Sequence, residues 1–392
     1  MASGLLVACG GPPKARLEEQ RQQQTFAAQG YPAQAEAVTV LAQQWRLKND
    51  VFRLNLTIGS AYASGPARPV VVYLPGLGES ENAGQKWRQA WAAAGYAVLS
   101  VQPLEADAQA WASDLARAAE FKRLGQQHYA EAMLRQRLTT LDALVAEARR
   151  LGQAGETPWR ALDWSRAAVA GYELGAQAAM TIAGEPLADG TTMALRNFQP
   201  KAVVVVSPQV MANPPAERFR QLQLPVLGLT GPNDDDVIGL VQQTSWRTLP
   251  FDAMPTDKAW LLSLGGITHS ALAGNEAPAQ AVAQGRNGES ADSSGRAGGG
   301  GGGGGRRGGG GGGMGGGPGG GMGAGNRMLQ PVPNQPDWRG LHEAQLAFIA
   351  AQQTSTAFLD WQLKQSPAAR NWLTGPAQGW LGHTGQLTAP LR

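Results

Sequence analysis

Arg166-Ala167-Ala168-Val169-Ala170-Gly171-Tyr172-Glu173-Leu174-Gly175-Ala176 is the stretch on which the fold turns. Its first part is a short run that stays apolar after Arg166, the composition of a strand covered on both faces, as inside a parallel sheet. Gly171 and Gly175 frame Tyr172-Glu173-Leu174, and small apolar residues continue from Leu174 to Ala183. Such residues suit a helix lying close against a sheet. The stretch therefore predicts a strand, a sharp glycine-permitted reversal and a helix.

Working outward, five more short apolar runs share this composition: Pro69–Leu74, Tyr96–Val101, Ala202–Val206, Pro225–Thr230 and Ala259–Leu264. Helical spacing separates several of them. Ser80 to Ala94 opens on a Ser cap and places Trp87, Ala90, Trp91 and Ala94 on one face. Tyr129 to Leu151 does the same with Leu134, Leu138, Leu141, Val145 and Ala148. Val38–Leu47 and Val51–Ile58 flank the turn-forming Lys48-Asn49-Asp50, and the second run alternates polar and apolar residues. That pattern predicts a half-buried antiparallel hairpin. The fold class expected is α/β: a mostly parallel, doubly wound sheet led by an N-terminal antiparallel hairpin.

Composition narrows the function. The chain has 392 residues, with 33 basic and 30 acidic side chains, a net charge of +3. This balance argues against a dedicated nucleic-acid binder. No apolar run reaches the ~20 residues that a bilayer-crossing helix needs. A single cysteine excludes a disulfide framework and any multi-thiolate zinc or iron–sulfur site. Neither a metal constellation nor a cofactor motif stands out. Of 53 glycines, 22 fall between Gly298 and Gly325, so the excess is one local tract. Polyglycine has too much conformational entropy and too little apolar area to fold. Residues 275–337 are accordingly expected to be a disordered insertion within one domain. The expected domain comprises residues 38–274 and C-terminal helices over 338–375, followed by a tail at 376–392.

That single cysteine, Cys9, follows Gly4-Leu5-Leu6-Val7-Ala8 and resembles a bacterial lipobox cysteine. Residues 1–8 then read as a truncated lipoprotein signal, Cys9 as the lipidation site and lipid anchor, and 9–37 as a flexible tether. The expected location is the bacterial envelope, on the periplasmic side. An incidental thiol in a cytoplasmic chain is the alternative.

Three positions directly after apolar runs carry the chemistry. Gly171-Tyr172-Glu173-Leu174-Gly175 has the G-x-S-x-G form of a nucleophile elbow, with Glu173 where serine is expected. Asp234 lies in Thr230-Gly231-Pro232-Asn233-Asp234 after one strand, with Asp235 and Asp236 as neighbouring alternatives. His269 lies in Gly265-Gly266-Ile267-Thr268-His269 after another. In Leu74-Pro75-Gly76-Leu77-Gly78, Leu77 matches the residue giving one oxyanion-hole N–H, and Leu174 would give the other.

With these motifs in this order, the sequence resembles the α/β-hydrolases, and within them the predicted dienelactone hydrolase and chlorophyllase or platelet-activating-factor acetylhydrolase-like group. Arg68–Gln102 is similar to the family's P-V-V-V-x-x-H-G-L-G…G-Y-x-V region, with Pro75 replacing the usual histidine. Asp163–Gly184 is similar to its D-x-x-R-x-x-V-x-G-H-S-x-G…A-G elbow. The resemblance implies an α/β-hydrolase fold, a triad of Glu173, Asp234 and His269, no cofactor, and hydrolysis of esters, lactones or related small apolar substrates.

Glu173 leaves three readings open, because a serine triad depends on a hydroxyl proton that a carboxylate lacks. Glu173 could be a carboxylate nucleophile whose ester is hydrolysed by water activated at His269. It could act as a general base on water. Or it could pair with His269 in an inactive pseudo-hydrolase serving as an envelope-associated binding protein.

Overall fold

The apolar runs form the centre of one nine-stranded sheet in the computed structural model, which describes residues 14–33, 35–210, 216–276 and 338–390. In chain order the strands are β1 (Val38–Leu47), β2 (Asp50–Gly59), β3 (Arg68–Leu74), β4 (Ala97–Val101), β5 (Leu162–Tyr172), β6 (Ala202–Val206), β7 (Val226–Thr230), β8 (Ala259–Leu264) and β9 (Gly385–Thr388). They lie side by side as β1-β2-β4-β3-β5-β6-β7-β8-β9. The six strands from β4 to β8 in this order pair in parallel, whereas β1, β2 and β9 make antiparallel edges. The fold is α/β, with a mostly parallel mixed sheet flanked by helices.

Strand periodicity sorts the side chains between two layers. Val70, Val72, Val203 and Val205 pack with the helices Glu131–Gln153 and Leu174–Ile182 through Leu138, Leu141, Leu144, Ala176 and Ala179. Val71, Tyr73, Val204 and Val206 point to the other face. There they share a core with Trp87 and Trp91 of the helix Gln85–Ala93 and Phe358 of the helix Trp338–Lys364. Burial on both faces explains why these runs carry no polar alternation.

Parallel pairing puts the carboxyl ends of β3, β5, β6, β7 and β8 along one edge. At β5 the turn into the next helix is tight. A Cβ on Gly171 would lie 2.2 Å from the Gly175 carbonyl carbon, and one on Gly175 would lie 2.0 Å from the Leu74 oxygen. Both contacts are far inside van der Waals separation, so the helix Leu174–Ile182 approaches β3 and β5 as it does because neither position has a side chain.

Several sequence expectations are corrected. Residues 9–37 are not a tether throughout, because Lys14–Gln29 is a helix docked on Trp338–Lys364. Phe26 stacks on Trp380, and the buried Tyr31 hydroxyl donates to Asp360 at 2.7 Å. Few apolar residues mark that Gln-rich segment, and its attachment comes from residues more than 300 positions away. The expected tail at 376–392 contains the helix Pro376–Leu381 and β9, which pairs with β8. The helix expected from Ser80 begins at Gln85, after Gly84 in the left-handed region (φ 64°). Ser80 Oγ instead accepts the Asn82 N–H at 3.2 Å, a local turn that competes with capping. The signal at 1–8, Cys9 and all of the insertion except Asn275 and Glu276 lie outside the described residues. Among the described residues, no helix is long and apolar enough to cross a membrane.

Candidate active site

Glu173 follows the last residue of β5 and precedes the helix Leu174–Ile182, with φ 51° and ψ −105°. A non-glycine residue held there is strained by ~1–3 kcal/mol and persists when its surroundings fix it. Its N–H donates to the Val206 oxygen at 3.0 Å, while its own carbonyl accepts the Ala176 N–H at 3.0 Å and the Gln177 N–H at 3.2 Å. The side chain is buried, and its two oxygens differ. Oε2 accepts the Leu77 N–H at 3.2 Å. Oε1 is enclosed and has no hydrogen-bond partner among the described residues. Gly76 allows this contact, since a Cβ there would sit 2.9 Å from Oε2. Leu174 occupies the first helical position, where a backbone N–H has no acceptor within the helix.

Asp234 and His269 come together at the same edge. An isolated parallel bridge between Asn233 and Thr268 continues the β7–β8 pairing beyond the strands, aligning the two loops. Asp234 Oδ1 lies 2.8 Å from His269 Nδ1. Asp234 is fully buried, which by itself would raise its pKa. The His269 hydrogen bond, the Arg247 charge, and hydroxyl donation from Ser207 and Thr230 together hold it below the ordinary carboxylate value. Of the three neighbouring aspartates, Asp234 is the one that meets His269, while Asp236 accepts backbone N–H groups of Ile238, Leu240 and Val241. His269 itself begins a short helix capped by Thr268, and its carbonyl accepts the Tyr172 hydroxyl at 3.0 Å. With Nδ1 turned to Asp234, Nε2 is the nitrogen left for chemistry.

Glu173 is close enough to this pair to be influenced by it. Burial pushes its pKa up to about 7, against an opposing pull from His269 and with a further push from Glu79. Glu79 is half-buried on the Leu77 loop, with Oε2 on the Gly76 N–H (2.8 Å) and Oε1 on Asn275 Nδ2 (2.7 Å). Burial raises its pKa as well, again opposed in part by His269. Two carboxyl groups with raised pKa values thus bear on one imidazole.

Sequence reasoning missed three contributors. Ser207, immediately after β6, adopts φ 53°; its Oγ donates to Asp234 Oδ1 at 2.6 Å and lies 2.8 Å from His269 Nδ1. Its place at the end of an apolar run, between the Glu173 and Asp234 strands, is the signal that could have found it. Arg247 is fully buried and donates to the Asp234, Ser207 and Pro208 carbonyls, with Nε 3.3 Å from Asp234 Oδ2. Glu79 carries no comparable local signature.

Ser207→Ala is expected to destabilise the protein by about 1–3 kcal/mol at pH 7, because it removes a hydroxyl bonded to an ionised, buried carboxylate. The Asp234 pKa is depressed in the folded state, so this stabilisation exists above the ordinary aspartate value and disappears as pH falls through the folded value. Urea melts at pH 7 and pH 3 check it. Equal midpoints for parent and variant at pH 7 would remove Ser207 from the support of Asp234.

An apolar cluster of Leu77, Ala110, Leu124, Tyr129, Leu174, Ile238 and Leu240 includes both leucines expected to supply oxyanion-hole amides. A clasp secures part of this cover. Buried Asp107 joins His128 Nδ1 (2.8 Å) to Arg137 Nε (2.9 Å) and accepts the Gly78 N–H on its backbone oxygen (2.8 Å). A cavity of about 690 Å³ lies on the Gly78 side of the loop, lined by Gln102, Leu104 and the β1–β2 hairpin tip, without Glu173, Asp234 or His269 in its wall. Among the described residues, no group of three or more His, Cys, Asp or Glu side chains could hold a metal ion.

Comparison with models of protein families finds none that matches the chain, and comparison with curated proteins finds no relative.

Proposed function

We propose that the chain is a hydrolase with the α/β-hydrolase fold, cleaving small esters, lactones or related compounds with Glu173 as a carboxylate nucleophile. The division of labour within the Glu173 carboxylate carries this reading. One oxygen rests on the Leu77 N–H, while the other is buried, unpartnered and held in place by a strained backbone. The chain order of Glu173, Asp234 and His269 at the carboxyl edge of a mostly parallel sheet supports it further.

The chemistry follows from a carboxylate's needs. Ionised Glu173 Oε1 attacks the alkyl carbon of the ester, the carbon–oxygen bond breaks, and the acid portion leaves as a carboxylate that requires no proton. The enzyme now carries a glutamyl ester. Water adds to the Glu173 Cδ while His269 Nε2 takes its proton, with Asp234 stabilising the imidazolium. Negative charge develops on Oε2, where the Leu77 N–H already points. Collapse expels the alcohol oxygen, which receives the proton from His269. One water oxygen remains in Glu173.

Single turnover in H₂¹⁸O tests the sequence of steps. Isotope in the peptide bearing Glu173 is the expected result; turnover that labels only the released acid or alcohol would refute it. The Leu77 contact also favours a second reading, a protein that binds without turnover, because Glu173 occupies a donor that a substrate oxygen would otherwise use. Absence of turnover across an ester and lactone panel would select that reading.

A further inference from the structure

We infer that the Tyr129 hydroxyl is the hydrogen-bond donor that receives the acyl oxygen of the substrate beside Glu173, so that the compounds recognised are those presenting an acceptor oxygen next to the alkyl carbon attacked. The inference rests on the hydrolase reading for its catalytic consequence, but its geometry stands apart from turnover.

The Leu77 N–H donates to no substrate oxygen while it holds Glu173 Oε2, so another donor must meet the charge that moves onto the departing carboxylate. Tyr129 is placed for this role. It is 4% exposed, and its hydroxyl is enclosed without a hydrogen-bond partner among the described residues. Native proteins seldom bury a polar group unpaired. Its ring packs in the cluster that holds Leu77, whose N–H meets the Glu173 carboxylate, and Leu174, which follows Glu173 in the chain. Gln177 ties the two segments together: its backbone N–H reaches the Glu173 carbonyl at 3.2 Å, and its side-chain Nε2 reaches the Tyr129 carbonyl at 3.0 Å. Gln177 Oε1 is also buried and unpartnered. Burial, then the negative charges of Glu173 and Asp236, keep the Tyr129 phenol protonated well above its ordinary range. Tyr129 therefore donates a hydrogen bond throughout and transfers no proton. The bond that forms is Glu173 Oε1 to the alkyl carbon, the bond that breaks is alkyl carbon to ester oxygen, and the electron pair goes to the carboxylate facing Tyr129.

Tyr129→Phe removes a hydroxyl that has no hydrogen-bond partner among the described residues, so its Tm should equal or exceed the parent's. Binding of N,N-dimethylbutanamide, whose oxygen only accepts hydrogen bonds, should weaken by roughly three- to tenfold in isothermal titration. With an ester that the parent hydrolyses, kcat should fall by roughly 10²-fold, the usual effect of losing one donor to developing charge. Equal amide affinity in the two proteins, no amide binding by the parent, or a lowered Tm would each overturn the inference. Retained discrimination between the two proteins in amide binding, with no ester turnover by either, would uphold the Tyr129 subsite and reject the hydrolase reading.

Discussion

Glu173→Gln is expected to lower kcat/KM for a hydrolysed ester by at least ~10⁴-fold, the scale on which enzymes lose rate when a nucleophile is removed. The same change should make the protein more stable at neutral and alkaline pH. Burial holds the Glu173 pKa near 7, against an ordinary value of 4.5. Below pH 4.5 both folded and unfolded chains keep the proton, and the carboxyl contributes no pH dependence. Between 4.5 and 7 the unfolded chain releases it first, so folding stability declines as pH rises. Above 7 the folded state carries a buried carboxylate, at a penalty of up to about 3 kcal/mol. Glutamine does not ionise, yet its amide oxygen can still accept the Leu77 N–H. The variant's advantage should therefore grow through this window, reach its maximum by pH 8 and vanish near pH 4.5. Parental kcat/KM should rise with pH as a single ionisation centred near 7, since the attacking oxygen must be charged. Denaturant melts across pH 4.5–8 would refute the assignment if parent and variant differed by a constant amount.

Ala202–Val206 matches its predicted bounds because a strand covered on both faces needs unbroken apolar composition, and Ala259–Leu264 matches as well with alternate residues only half-buried. Glu173, Asp234 and His269 were legible because each lies shortly after such a run, and parallel strands must present those ends together. Tyr129 was not legible as a site residue: the sequence places it at the start of a long amphipathic helix, which in the structure begins at Glu131, and only the packing of residues 104–130 over the Leu77 loop brings it toward Glu173. Glu79 is a single polar residue in a loop, which has no periodicity to mark it, and Ser207 is marked only by its place directly after an apolar run. The helix Lys14–Gln29 was obscured for a different reason. Its attachment depends on glutamine and aromatic contacts to the distant helices, including Gln353 Nε2 to the Ala27 oxygen at 2.8 Å, and local composition does not report long-range contacts.

His269→Gln separates the chemical readings, because it should interrupt the proposed reaction between its halves. Expulsion of a carboxylate needs no acid, so attack by Glu173 should proceed at close to the parental rate once the pH is high enough to ionise Glu173 without the His269 pull on its pKa. Hydrolysis of the resulting ester should slow by roughly 10³-fold without the general base. Mixing the variant with excess ester is then expected to release one equivalent of carboxylic acid per protein in a burst. The protein mass should rise by that of the alkyl group in exchange for a hydrogen, and the gain should map to the peptide containing Glu173. If Glu173 instead acts as a base on water, the variant will release both products together, with neither a burst nor a mass change. That outcome would remove the covalent step while leaving the site assignment intact. Full parental turnover in the variant would be more damaging. It would mean that the imidazole held by Asp234 and Ser207 at 2.8 Å takes no part in the reaction, and that the hydrogen-bonded pair at the sheet edge has a structural role alone.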